Sequence, residues 1–151
     1  MTRARPGALL LLSFLALGCA GAGGPTLGVV NGNLAPCPAA PHCVSSQNAA
    51  GLHATEPIAY ETSREEARER FVSIIRSMRR AEVLTDSPDY IHAVFTSRLF
   101  HYVDDVEIYL DDRAKVAHIR SSSRAGFYDF GANRRRVKEI RERFLAEKKQ
   151  G

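Results

Sequence analysis

The densest run of chemistry-bearing side chains in this 151-residue chain lies between Arg120 and Arg136. Arg120, Ser121, Ser122, Ser123 and Arg124 fall at a strand end, Gly126 and Asp129 in a loop, and Asn133, Arg134, Arg135 and Arg136 at a helix start. Outward-pointing backbone N–H groups at a helix start, with hydroxyls and guanidinium forks beside them, are what an anion needs. Arg120, Ser121, Ser123, Arg124, Asp129, Asn133 and Arg134 are therefore the candidate ligand-binding residues. The same residues also fit a scaffold. In that reading Asp129 caps the helix, Asn133 closes the turn, and Arg120, Arg124 and Arg134 pair with Asp104, Asp105 and Asp129. Consecutive helical residues fan out by about 100°, so the triple arginine is not one patch.

Other candidates are weaker. Asp104 and Asp105 could offer paired carboxylates, but adjacent strand residues point to opposite faces. The expectation is a bulge or turn in which one aspartate pairs with an arginine, Arg98 or Arg124. Ser45 and Ser46 lack the glycines of a nucleophile elbow and are read as turn or capping hydroxyls. His92, His101 and His118 fall in expected strands, where a hydrogen-bonded sheet histidine is the commoner role. No catalytic motif and no cofactor motif stands out. The enzyme alternative is a hydrolase or transferase with Asp104, Asp105 or Asp129 as general base and arginines stabilising the transition state.

The elements that must position these residues follow from periodicity. With 44% hydrophobic and 25% charged residues the composition is that of a globular protein. A formal net charge of +4, from Lys+Arg 21 against Asp+Glu 17, is too slight and mixed to imply nucleic acid. No aromatic stacking platform stands beside the basic residues either. Residues 19–35 are glycine-rich and nearly uncharged and read as a flexible tether, leaving 36–149 as a single domain. Ser63 with Glu66 fits a capping box, and Ala67, Phe71, Ile74, Ile75 and Met78 then recur at helical spacing. Ala81 to Thr85, Tyr90 to Phe100, Val106 to Leu110 and Lys115 to Ser121 read as strands, the third half-buried and in a hairpin with the fourth. Val137, Ile140, Phe144 and Leu145 define the inner stripe of a C-terminal helix. The expected fold is α+β and two-layered, an antiparallel meander of three to four strands with both helices packed on one face.

Residues 1–18 carry Arg3 and Arg5, an apolar run from Ala8 to Leu17, and then Gly18-Cys19, the layout of a secretory signal peptide. The apolar run is about ten residues, against the ~20 that a membrane-spanning helix requires. Ala16-Leu17-Gly18-Cys19 resembles a bacterial lipobox, although Ala16 stands where a large aliphatic residue is usual. The resemblance implies lipidation at Cys19 and a lipid-anchored, periplasm-facing protein of the cell envelope, with the outer membrane favoured over the inner. The alternative is an ordinary secreted chain cleaved near Ala20 or Ala22. If Cys19 is acylated, Cys37 and Cys43 are the remaining cysteine pair, and in an oxidising compartment a disulfide is the first expectation. A metal site using Cys37, His42 and Cys43 lacks a fourth ligand at recognisable spacing. A catalytic thiol paired with His92, His101 or His118 stands against export and a neighbouring second cysteine.

Cys37-Pro38 with Pro41-His42-Cys43-Val44-Ser45-Ser46 resembles a family known as domain of unknown function 1499. Phe95 to Phe100 running into Val103 to Glu107 agrees with it, as does Arg120 to Arg124 running into Gly126, Asp129, Gly131, Asn133-Arg134 and Arg136-Val137. The resemblance implies an envelope context and no assigned reaction. The first expectation for function is thus a membrane-tethered binding or interaction domain for an anionic small molecule, a lipid headgroup or an envelope protein. A purely structural envelope component would call for an exposed apolar patch outside the helix stripes, and no such patch is visible in the sequence.

Overall fold

A computed structural model describes residues 26–147. Chain order is β1 (Val29–Val30), β2 (Asn33–Leu34), β3 (Cys43–Ser45), a single 3-10 turn (Gly51–His53), β4 (Ile58–Ala59), α1 (Arg64–Ser77), β5 (Ala81–Asp86), β6 (Tyr90–Thr96), β7 (Val103–Asp111), β8 (Val116–Ser123) and α2 (Ala132–Glu147). The main sheet runs β3-β8-β7-β6-β5, with β4 also pairing β8, and every pair is antiparallel. The α+β class and the meander β5 to β8 match expectation. The strand count is corrected to a six-stranded sheet plus a two-stranded hairpin. β3 and β4 pair with successive lengths of β8, Cys43–Ser45 with Arg120–Ser122 and Ile58–Ala59 with Val116–Ala117. Segments of two and three residues are too short to show an alternating pattern.

Both helices lie on one face. Ser63 Oγ accepts the Glu66 N–H at 3.1 Å, which starts α1 as its capping signal requires. Ala67, Phe71, Val72, Ile74 and Ile75 of α1 then pack with Val137, Ile140 and Phe144 of α2 over Ile91, Ala93, Phe95, Val106, Ile108, Leu110, Ala117 and Ile119. Phe71 stacks on Phe144 with ring centroids 4.0 Å apart, and the Arg70 guanidinium lies 4.6 Å from the Phe144 ring centre. Leu145 is not part of this stripe; it is 42% exposed. Among the described residues no helix is long and apolar enough to cross a membrane.

The opposite face of the sheet is also covered, so β7 is not half-buried: Asp105 is 1% and Glu107 0% exposed. Its cover comes from residues expected to be tether. Asn31 and Gly32 take positive φ of 51° and 74° to turn β1 onto β2, the conformation a two-residue hairpin loop requires. Leu34 of this hairpin is buried, Gln47 ties it down by hydrogen bonds to Leu34 N–H and Gly32 O, and the Gly28 N–H reaches Glu107 Oε1 at 2.7 Å. The folded unit therefore begins no later than Gly28. Residues 1–25, with the expected signal segment and Cys19, lie outside the described residues.

Phe144→Ala removes a fully packed ring that joins both helices. Urea unfolding should register a loss of about 3–5 kcal/mol.

Candidate functional site

The covered outer face is built from alternate residues of three strands: Tyr90 and His92 on β6, Asp105 and Glu107 on β7, Arg120 and Ser122 on β8, with Arg124 just beyond. Register sets Glu107 opposite Arg120 and Asp105 opposite Ser122. Arg120 Nη1 donates to Glu107 Oε2 at 2.8 Å, while Glu107 Oε1 accepts from Tyr90 OH at 2.8 Å and from the Gly28 N–H. Burial, and then the Glu107 carboxylate, raise the Tyr90 phenol well above its ordinary pKa. Arg124 grips Asp105 through two bonds, Nε to Oδ2 at 2.9 Å and Nη2 to Oδ1 at 2.8 Å, and His92 Nε2 lies 2.8 Å from the same Oδ1. Burial raises the Asp105 pKa, but the hydrogen bonds from Arg124 and His92 outweigh it and bring it down to about 2.

Between this face and the segment leading to β3 lies a cavity of about 350 Å³, open to solvent and lined by Thr26, Pro36, Cys37, His42, Arg120, Ser122, Ser123 and Arg124 among others. Cys37 and Cys43 are joined by a disulfide, which fixes the wall to the edge strand. Two buried nitrogens of the lining have no hydrogen-bond partner, Arg120 Nε and His42 Nδ1. An unsatisfied buried donor costs about 1–3 kcal/mol, so an orphaned guanidinium N–H on a residue that lines the cavity is chemically informative.

The helix-facing residues of the same strands form a different network. Arg136 Nη2 donates to Asp104 Oδ2 at 2.7 Å, and its Nη1 donates to Asn133 Oδ1 and Ser121 Oγ. Ser121 Oγ donates to Asn133 Oδ1 at 2.6 Å, and Asn133 Nδ2 reaches His42 O, Ser123 Oγ and Asp129 Oδ2, each at 2.9 Å. Asp129 caps α2, accepting the N–H groups of Gly131 and Asn133 at 2.9 Å. Burial opposes ionisation of Asp129, yet those N–H donors hold its carboxyl below the usual range. Arg134 instead donates to the carbonyls of Leu52 and Ala54.

The expected cluster is thus divided. Arg120 and Arg124 line the cavity; Ser121, Asp129 and Asn133 lock α2 to the sheet; Ser123, at the end of β8, accepts from Asn133 and also lines the cavity; Arg134 holds the 3-10 turn. Alternation along β8 is the reason, since neighbouring strand residues cannot share a face. Both Asp104 and Asp105 find arginines, on opposite faces and without a bulge between them. His101 is not in a strand but in the β6–β7 turn at φ 53°. His118 sits on β8 against Tyr109, its pKa lowered by burial. Ser46 Oγ accepts the Ile119 N–H, as an edge hydroxyl would. Among the described residues no cluster of three or more His, Cys, Asp or Glu could hold a metal ion. Glu107, Tyr90, His42, Ser122 and Arg136 stood outside the sequence-based candidate set.

Asp105 gives a direct pH prediction. Because its folded pKa is depressed, its contribution is full above the unfolded value near 3.9 and is lost as pH falls through about 4 to about 2. The unfolding free energy of the native chain, from denaturant titration, should drop across that window by roughly 2 kcal/mol, and Asp105→Asn should start lower at pH 7 and show a flatter dependence across the window.

No curated protein and no solved structure matches the chain. A family model matches residues 33–144, which span β2 to the last turns of α2 and so take in the six-stranded sheet, the disulfide and the cavity lining apart from Thr26. The chain belongs to the family described as Protein of unknown function (DUF1499).

Proposed function

We propose that the chain is a membrane-tethered binding domain whose outer-face cavity holds a small anionic group, a carboxylate or a phosphate ester. The observation that carries this reading is Arg120, which lines the cavity and whose buried Nε has no hydrogen-bond partner. Glu107 fixes the guanidinium from its other side at 2.8 Å, so the free edge is held before any ligand arrives. Preorganised donors lose little entropy on binding. Ser122 lies between Arg120 and Arg124 on β8, and His42, whose carbonyl accepts the Ser123 N–H at 3.0 Å, also lines the cavity. The carboxylates of Asp105 and Glu107 offset the arginine charge, so binding rests on directed hydrogen bonds more than on net charge. The signal layout and Cys19 support an envelope location, lipid-anchored and facing the periplasm, with the outer membrane favoured. The general-base alternative gains no support: Asp104 and Asp105 are bound by arginines, and Asp129 by the backbone of α2.

Calorimetry of the exported protein with inorganic phosphate and with acetate tests the site. At least one should bind, with affinity falling at least tenfold in Arg124→Gln and in His42→Leu, and native mass spectrometry should find an adduct on the purified chain. Failure of both anions together with a bare mass overturns the site. The mature N-terminus reads the tether separately: a diacylated Cys19 is expected, and an unmodified chain starting near Ala20 or Ala22 contradicts it.

A further inference from the structure

Two neighbouring loops at one end of the sheet carry an unusual density of exposed apolar side chains. The β6–β7 loop presents Leu99 (77% exposed), Phe100 (71%) and Tyr102 (51%), and the β8–α2 loop presents Phe127 (75%), Tyr128 (58%) and Phe130 (79%). The loops border one groove of about 440 Å³, with Phe100 stacked near Tyr102 and Tyr128 edge-on to Phe130. Monomeric proteins rarely leave such a patch bare. Around it stand exposed arginines. Arg98 lines the groove; Arg135 Nη1 holds the Phe130 carbonyl at 2.7 Å; Arg80 Nε holds the Thr96 carbonyl at 3.0 Å at the root of the β6–β7 loop; Arg79, Arg80 and Arg135 line a second groove with Glu139, which pairs with Arg143. The two acids at the groove, Asp104 and Asp129, are already consumed by Arg136 and by the α2 cap.

We infer that this end of the domain docks on an anionic lipid bilayer, the aromatic and leucine loop tips entering the interfacial region while the arginine rim meets phosphate headgroups. Phenylalanine and leucine with tyrosine between them, ringed by cations, is the composition of a surface that lies in a membrane interface. Charge decides against a second copy of the chain, because a self-complementary contact would press two arginine rims together. The position of Thr26 agrees. Thr26 lines the outer-face cavity beside Ser123 and Arg124, and Ser123 in turn lines the aromatic groove. The seven steps from Cys19 to Thr26 reach at most ~25 Å, so a lipid at Cys19 would hold this end of the domain against the bilayer. That last point rests on the tethered reading; the patch and its charge do not.

The test uses the exported mature chain with Cys19→Ser, so that no attached lipid contributes. Co-sedimentation with vesicles of phosphatidylglycerol and phosphatidylethanolamine should retain the protein, and phosphatidylcholine vesicles should bind at least tenfold more weakly. The Phe100→Ser, Phe130→Ser double variant changes only exposed rings; it should keep the native melting temperature and lose at least tenfold in vesicle binding. The chain has no tryptophan, so Phe100→Trp supplies a single reporter whose emission should shift to the blue on phosphatidylglycerol vesicles. Absence of vesicle binding, equal binding to neutral lipid, or binding unchanged in the double variant overturns the inference. A dimer that dissociates in the double variant, with no vesicle binding, assigns the patch to a second copy instead. Loss of lipid at Cys19 in the native chain would remove the tether while leaving every one of these readings intact.

Discussion

A carboxylate with no solvent exposure, Glu107, lies at the middle of a β-sheet and must be neutralised where it stands. Arg120, directly opposite on β8, supplies the charge at 2.8 Å, and Tyr90 and the Gly28 amide fill the other oxygen. Removing one member of such a pair leaves a buried charge at a cost of about 3–5 kcal/mol. The pair therefore dictates its surroundings. It can stay dry only if the N-terminal hairpin lies across the sheet. The hairpin is itself held by Gln47, and the wall next to it by the Cys37–Cys43 disulfide. Glu107 takes Arg120 by Nη1, and the buried Nε is left without a partner. One ion pair accounts for the cover, the cavity and the free donor.

The sheet thus has two polar systems with different work. On the helix side, Asn133 is fully buried and its amide is saturated by Ser121, Ser123, Asp129, Arg136 and the His42 carbonyl. A satisfied network of this kind fixes a unique packing of α2 and offers nothing to a ligand. On the outer side, satisfaction is incomplete at two nitrogens. His42 joins the systems: its carbonyl accepts from Asn133, its residue lines the cavity, and its buried Nδ1 has no partner.

Much of the fold was legible in the residues. Ser63 with Glu66 marked α1, the alternation of Val106, Ile108 and Leu110 marked β7, and apolar spacing marked α2 as far as Phe144. The odd and even residues of β8 already separate Ser121 and Ser123 from Arg120, Ser122 and Arg124, so the division of the candidate set followed from strand geometry alone. Pairing across strands did not. The Glu107–Arg120 contact depends on a four-residue loop from Asp112 to Lys115, closed with Lys115 at φ 54°, and one residue more or less would exchange the faces. The hairpin at Asn31-Gly32 did leave a signal, an Asn-Gly turn flanked by Val29-Val30 and Leu34, which the surrounding glycines hid within an apparent tether. The apolar patch escaped because its members sit on two loops distant in sequence, where no periodicity gathers them.

The central claim is that Arg120, a residue of the cavity lining, is held by Glu107 through Nη1 with its buried Nε–H unpartnered. Side-chain 1H–15N NMR of the arginine Nε–H groups reads it directly, with Arg120 assigned through Arg120→Lys. The resonance should exchange slowly with water, because the group is buried, and should move on addition of the anion that the cavity binds, phosphate or acetate, while the Arg136 resonance stays in place. An Arg120 Nε–H that exchanges as fast as a free arginine, or that ignores both anions, would contradict the account.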